Sequence, residues 1–139
     1  KKLSERANES DFTIWDFITI ASLVEEEAKL NEEKNIIAGI IFNRLNSNMK
    51  LQIDATVQYI LPERKNRLLY SDLEVDSEYN TYQYKGLPPG PIANPGKQSI
   101  EAVLNPKDTD YLFYFAKKDG SHIFSKNYEE HLRKQRNFN

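Results

Sequence analysis

Cysteine is absent from the 139 residues, which removes a disulfide scaffold, a thiol nucleophile and a Cys-ligated zinc site at once. No run approaches the roughly 20 apolar residues that a membrane-spanning helix needs, and no signal-peptide pattern is visible. Charge of one sign is missing too. The formal net charge is −2, with Lys and Arg scattered among Asp and Glu, so the basic patch that nucleic-acid binding requires is not there. The densest basic stretch, residues 133–136, reads as the solvated end of a C-terminal helix. The two histidines, His122 and His131, lack the spacing of a metal-ligand set. There is no G-x-S-x-G elbow and no Gly-rich phosphate loop. A serine hydrolase, a nucleotide enzyme and a metal site therefore have no support. Repeats and low-complexity tracts are also lacking.

What is present is an ordinary globular composition, 39% hydrophobic and 29% charged, long enough for one domain with its own core. Tyrosine (8) outnumbers phenylalanine (7); this fits either wet grooves or half-buried strands, and composition does not choose. Apolar residues at Ile14, Phe17, Ile18, Ala21, Val24 and Ala28 predict a helix over 12–29. Ile20 and Leu23 on its other side make its middle buried nearly all round. Asn31 is placed to cap a second helix over 32–46, with Ile36, Ile37, Ile40, Ile41 and Leu45 as its core stripe. A short helix is expected over 55–61, capped by Asp54 and stopped by Pro62, then an irregular stretch with one helical turn near 71–75. A strand is expected over 81–85, and a helix over 99–104 capped by Ser99. Strands over 111–116 and 122–125 flank Asp119-Gly120, a hairpin signal, and a polar helix over 127–136 closes the chain. Helices first and antiparallel strands later make the fold α+β.

Three segments could carry chemistry. Glu25 shares a helix stripe with Ile14, Ile18, Ala21 and Ala28, while Glu26 and Glu27 rotate away by about 100° and 200°. A carboxyl in apolar surroundings has its pKa raised, as a general acid requires; alternatively all three glutamates form a solvated helix end. In Leu51-Gln52-Ile53-Asp54-Ala55-Thr56, Gln52 and Asp54 match the donor and acceptor character of sugar hydroxyls, although Asp54 could equally serve as a plain helix cap. Tyr79-Asn80-Thr81-Tyr82 leads into Gly86-Leu87-Pro88-Pro89-Gly90-Pro91-Ile92-Ala93-Asn94-Pro95-Gly96. Four prolines and three glycines in these eleven residues make a stiff loop that exposes backbone donors and acceptors. It is either a binding element or a connector.

Together these segments resemble the MltG (YceG-like) family of endolytic murein transglycosylases. The likeness runs from Ala21-Ser22-Leu23-Val24-Glu25-Glu26-Glu27-Ala28, similar to the family's A-S-[IL]-V-E-x-E-A, through Phe42-Asn43-Arg44-Leu45, residues 51–57 and Tyr79-Asn80-Thr81-Tyr82, to the 86–96 loop and the aromatic strand after Pro106. Ile53, Ala55 and Glu26 depart from the residues most frequent at their positions. The resemblance implies that helices carrying a catalytic Glu25 pack with a small antiparallel sheet and the long loop. Glu25 would be the acid/base that cleaves the bond between N-acetylmuramic acid and N-acetylglucosamine, leaving a 1,6-anhydro end. Gln52, Asp54, Thr56, Asn80, Thr81, Tyr82, Leu87, Pro88, Pro89, Gly90, Ile92, Asn94, Pro95 and Gly96 would form the substrate site. It further implies one catalytic domain over 1–139, with 1–11 as a lead-in, cut from a longer protein anchored at the outer face of the bacterial cytoplasmic membrane. Its partners would be peptidoglycan strands and the cell-wall synthases and other proteins of elongation or division, and by the same resemblance no metal or organic cofactor is expected. A glycan-binding scaffold without turnover and a hydrolytic muramidase, with Asp54 positioning water, are the alternatives.

Overall fold

The computed structural model describes residues 5, 7 and 10–138; of the expected lead-in, residues 1–4, 6, 8 and 9 lie outside the described residues, as does residue 139. Within 10–138 the chain forms five α-helices and one two-stranded antiparallel sheet, an α+β fold. Helix α1 (Ile14–Glu27) begins where Thr13 and Asp16 close a capping box: the Thr13 hydroxyl accepts from the Asp16 N–H, and the Asp16 carboxylate from the Thr13 N–H. Phe17, Ile20, Ala21, Leu23 and Val24 are all buried, so the middle of α1 is enclosed nearly all round, as its composition predicts.

A 3-10 turn (Asn31–Glu33) leads into α2 (Lys34–Asn46). Asn31 does not cap this helix. It opens the tighter turn instead, whose own bonds take up donors that a cap would have served, the Lys34 N–H reaching the Asn31 carbonyl. Gly39 of α2 is a close-approach position: a Cβ there would lie 2.5 Å from the Lys107 carbonyl oxygen. Helix α3 (Asp54–Ile60) starts one residue earlier than expected, so Asp54 is its first helical residue and caps nothing; the cap position is Ile53 and has no side-chain bond. The Asp54 carboxylate suits the positive end of the helix dipole there.

The strand expected over 81–85 is a turn. The Asn80 carbonyl accepts from both the Gln83 and Tyr84 N–H groups, and the Asn80 side chain accepts from the Tyr82 N–H; these bonds are local, among the backbone groups only the Thr81 carbonyl reaches another segment's backbone, at the Gln52 N–H, and no ladder forms. Helix α4 (Lys97–Leu104) starts two residues before the expected cap, Ser99; Gly96 holds the cap position. Strands β1 (Phe113–Ala116) and β2 (His122–Ser125) pair with Tyr114 opposite Phe124. Their turn places Gly120 at φ 91°, a left-handed conformation that glycine adopts without strain. Asn127 caps α5 (Tyr128–Phe138) by accepting from the Glu130 N–H.

Helices α1, α2 and α4 pack on one another. Their core joins Phe17, Leu23 and Val24 to Ile37 and Ile41, to Ala102 and Val103, and to Ile92 of the 86–96 loop. The hairpin and α5 form a second layer, with Phe113 and Phe115 against His131. The C-terminal end of α1 lies where the two layers meet: Glu25 touches α4 and Glu27 touches β1.

Candidate active site

The 86–96 loop is fastened along α1 at three points. The Trp15 indole N–H donates to the Pro89 carbonyl (2.9 Å), the Ile92 N–H donates to the Ser22 hydroxyl (3.1 Å), and the Gly96 N–H donates to the Glu25 carboxylate (2.8 Å). Positions 15, 22 and 25 fall within an arc of about 80° on an α-helix, so one stripe of α1 receives the whole loop. Two glycines permit the fit. A Cβ on Gly90 would stand 3.0 Å from the Trp15 ring, and one on Gly96 3.2 Å from Glu25 Oε1. The loop is a built element rather than a slack connector.

Glu25 is half-buried, and Oε1 receives two donors, the Gly96 N–H and the Ser99 hydroxyl (2.9 Å). The buried Lys34 ammonium donates to that hydroxyl (3.0 Å) and stands 3.8 Å from Glu25 Oε2. These contacts hold the Glu25 carboxyl below its ordinary range: the Gly96 N–H does most, then the Ser99 hydroxyl, with Lys34 adding to them against the opposing effect of burial. The expected apolar surroundings, with a raised pKa, are therefore not what Glu25 meets. Helix α4 brings its N-terminus, with unpaired N–H groups and a positive dipole end, onto that stretch of the stripe.

Other candidates gather on the far side of α1. Gln52, Asp54 and Tyr82 line a cavity of about 550 Å³ together with Glu27, Tyr114 and His122. The Tyr82 hydroxyl donates to the Asp54 carboxylate, and the Tyr114 hydroxyl donates to Glu27 Oε1 at 2.6 Å. Burial pushes the Glu27 carboxyl up, and the neighbouring Asp54 and Glu26 charges reinforce it against the Tyr114 bond and His122. Burial also raises the Tyr82 and Tyr114 phenols, so both stay protonated donors at neutral pH.

A third set faces inward. Thr56 and Thr81 are buried with hydroxyl oxygens 2.9 Å apart, and Thr81 also accepts from the Ile53 N–H. Asn80 is wholly buried and donates to the Leu73 and Val75 carbonyls. Pro88, Gly90 and Ile92 are buried too, and Leu87 and Pro95 partly so, whereas Pro89, Asn94 and Gly96 are exposed. The inward-facing residues hold the shape of the site, while the exposed ones are available to a ligand. Ser99, Lys34, Glu27 and Tyr114 were not singled out for the site from sequence. In the sequence Ser99 reads as a possible cap, Glu27 as the second Glu of the E-x-E segment and Tyr114 as part of the aromatic strand after Pro106; Lys34 carries no local signal, and the contacts of all four are to partners far along the chain.

The profile of the YceG-like family matches residues 1–137. A Bacillus subtilis (strain 168) protein named endolytic murein transglycosylase is 49% identical over 119 residues, 86% of this chain and 33% of that protein. A Streptococcus pneumoniae protein of the same name is 34% identical over 129 residues, 88% of this chain and 23% of its length. The chain thus spans a third or less of the curated relatives it matches. The crystal structure of a yceG-like protein from Listeria monocytogenes superposes with a TM-score of 0.87 at 45% identity, over 93% of this chain and 42% of that one. With the likeness extending through sequence and fold alike, the chain belongs to the YceG-like family.

Proposed function

We propose that this chain is the catalytic domain of an endolytic murein transglycosylase and that Glu25 is its acid/base. The observation that carries the reading is the seat of Glu25. It is a partly exposed carboxyl at the end of a rigid loop, oriented by the Gly96 N–H, the Ser99 hydroxyl and Lys34. The names of the Bacillus and Streptococcus relatives point the same way. In the reaction, protonated Glu25 gives its proton to the glycosidic oxygen as the bond from muramic C1 breaks. The muramic C6 hydroxyl then attacks C1 and returns a proton to the carboxylate. The products are a 1,6-anhydro end and a free N-acetylglucosamine 4-hydroxyl, and no water is consumed. An intramolecular nucleophile needs no second carboxylate to activate water. That accords with Asp54 lying in the far cavity with Glu27 rather than at the Glu25 seat.

The donors around Glu25 favour its ionised form at rest, the form that accepts the C6 proton. Loading the proton that starts the cycle falls to the bound glycan: a sugar covering exposed Gly96 excludes water and raises the carboxyl pKa. On the same reading the full-length protein works outside the cytoplasmic membrane on peptidoglycan strands, held by an anchor outside this chain and alongside cell-wall synthases.

The test is digestion of purified peptidoglycan by the wild type and Glu25→Gln, with product termini read by mass spectrometry. Anhydro-muramic ends from the wild type, reduced by about 10²–10⁴-fold in the variant, are expected for loss of a general acid/base. Reducing ends would replace the lyase with a hydrolase. Lack of any product from folded, glycan-binding full-length protein would leave a binding scaffold.

A further inference from the structure

A polar groove lies between α4 and the turn that opens α2, and none of its residues is among those the resemblance places in the substrate site. We infer that it takes a short extended peptide bearing a free amine, which in murein is the peptide stem of the muramic residue. The choice of stem rests on the murein reading above; the groove itself rests on geometry. It holds about 290 Å³, with Asn31, Glu32 and Asn35 on one wall and Gln98, Glu101 and Asn105 on the other. Buried Ala102 supplies a small apolar floor. Gln98 to Asn105 spans about 10 Å along α4 and its C-terminal cap, the length of roughly three extended peptide residues. The groove adjoins the Glu25 seat: Gln98 precedes Ser99 and Asn35 follows Lys34, whose side chains both reach Glu25. A stem leaving a muramic ring held at Glu25 therefore has the groove beside it.

Carboxamides dominate the lining. Among the described residues, nothing hydrogen-bonds the side chains of Asn31, Asn35 or Gln98. Asn105 spends one N–H on the Glu101 carbonyl (3.3 Å) and keeps its oxygen free. A carboxamide carries the same donor and acceptor pair as a peptide unit, so a row of them matches successive peptide groups. No aromatic ring lines the groove, and a pyranose face finds no platform there. Charge then selects among peptides. Glu32 makes no ion pair among the described residues, and Glu101 has only Lys97, 4.0 Å away with both side chains exposed. A pair so spaced in water holds little. Lys97 does not line the groove, nor does Lys107, which meets the Asn35 carbonyl through its backbone N–H. Lys34 is turned to Ser99 and Glu25. Two carboxylates are thus left for an amine of the ligand.

The experiment titrates N-acetyl-L-alanyl-γ-D-isoglutaminyl-L-lysine amide, a stem tripeptide whose single charge is the lysine ammonium, into the chain and reads backbone amide shifts by NMR. The expected shifts lie at Asn31, Asn35, Gln98 and Asn105, with Gln52 and Glu27 unmoved. Gln98→Ala and Asn31→Ala, both at exposed positions, should each weaken binding about two- to ten-fold, the effect of one hydrogen bond. Acetylating the lysine Nε should weaken it about two- to five-fold, as for a solvent-exposed ion pair. The double variant Glu32→Gln, Glu101→Gln should bind the free and acetylated peptides alike. Absence of binding, shifts centred away from α4, or a wild-type affinity indifferent to acetylation would each overturn the groove as a peptide site. Anhydro ends in the peptidoglycan digestion without these shifts would remove the groove's role and leave the reaction standing. These shifts without anhydro ends would keep the peptide site and remove the reaction.

Discussion

Glu25 and Glu27 sit two residues apart on the last turn of α1, yet the fold pushes the pKa of one down and that of the other up. A rotation of about 200° separates them, and each faces a different layer of the fold. Glu25 meets the N-terminus of α4, where a backbone N–H, a hydroxyl and a lysine stabilise its charge. Glu27 meets the hairpin, where burial and the Asp54 and Glu26 charges outweigh the single Tyr114 donor. The same side chain on the same helix turn thus acquires opposite proton affinity from what packs against it. Groups whose environments push their pKa values apart divide acid, base and binding roles between them.

The largest expected effect separates the two sides mechanically. Arg44 is buried and donates to the Leu112, Lys50 and Leu51 carbonyls, tying α2 to the residue that leads into β1 and to the segment before α3, and its guanidinium lies 4.9 Å from the centre of the Phe113 ring. Arg44→Met should cost about 3 kcal/mol through carbonyls left without donors, seen in denaturant unfolding. Amide shifts should spread over the Glu27 side and spare Gly96 and Ser99. A loss below about 1 kcal/mol would mean that the hairpin layer does not depend on Arg44.

Ser99→Ala sharpens the chemical half of the comparison. It removes one donor from Glu25 and the acceptor of Lys34, so the Glu25 pKa should rise toward its ordinary value. On the proposed mechanism the reaction starts from protonated Glu25, and its rate falls as pH rises through that pKa. In the variant this falling limb of kcat/KM should move to higher pH, whatever happens to the maximum. A limb that stays in place would detach Ser99 from the acid.

The smallest effect has opposite signs at the two residues. The lowered pKa of Glu25 contributes stability that is present above the ordinary carboxyl range and lost as pH falls through the folded value. Glu27 runs the other way: its raised pKa makes the fold most stable below the ordinary range, and stability declines as pH rises through the folded value. At neutral pH, Glu25→Gln should therefore lower the unfolding free energy and Glu27→Gln should raise it, each by about 1 kcal/mol or less, with Tm moving in the same sense. Both differences should vanish in acid. Shifts of the same sign at neutral pH would break the contrast.

Much of the frame was legible. The apolar periodicity located α1 and α2 because their stripes face one core, and Asp119-Gly120 located the hairpin because a left-handed residue is required there. The density of Pro and Gly marked the 86–96 loop as shaped. The misreadings share a cause. Asp54, Asn31 and Ser99 are good caps by type, but in this fold the carboxylate goes to Tyr82, a 3-10 turn precedes α2, and the Ser99 hydroxyl goes to Glu25. The 81–85 segment has strand-like residues, but among its backbone groups only the Thr81 carbonyl meets another segment's backbone, at the Gln52 N–H, and Asn80 turns the rest.

The sequence by itself determined where the helices and the hairpin form, which helix turn carries Glu25, and the likeness to one family, because periodicity, turn chemistry and motif order are properties of neighbouring residues. Only the tertiary structure decided in which direction the proton affinity of each glutamate shifts. Their partners lie 71 and 74 residues away for Glu25 and 87 for Glu27, and a proton affinity is fixed by the donors, charges and solvent in contact with the carboxyl, which become neighbours only on folding.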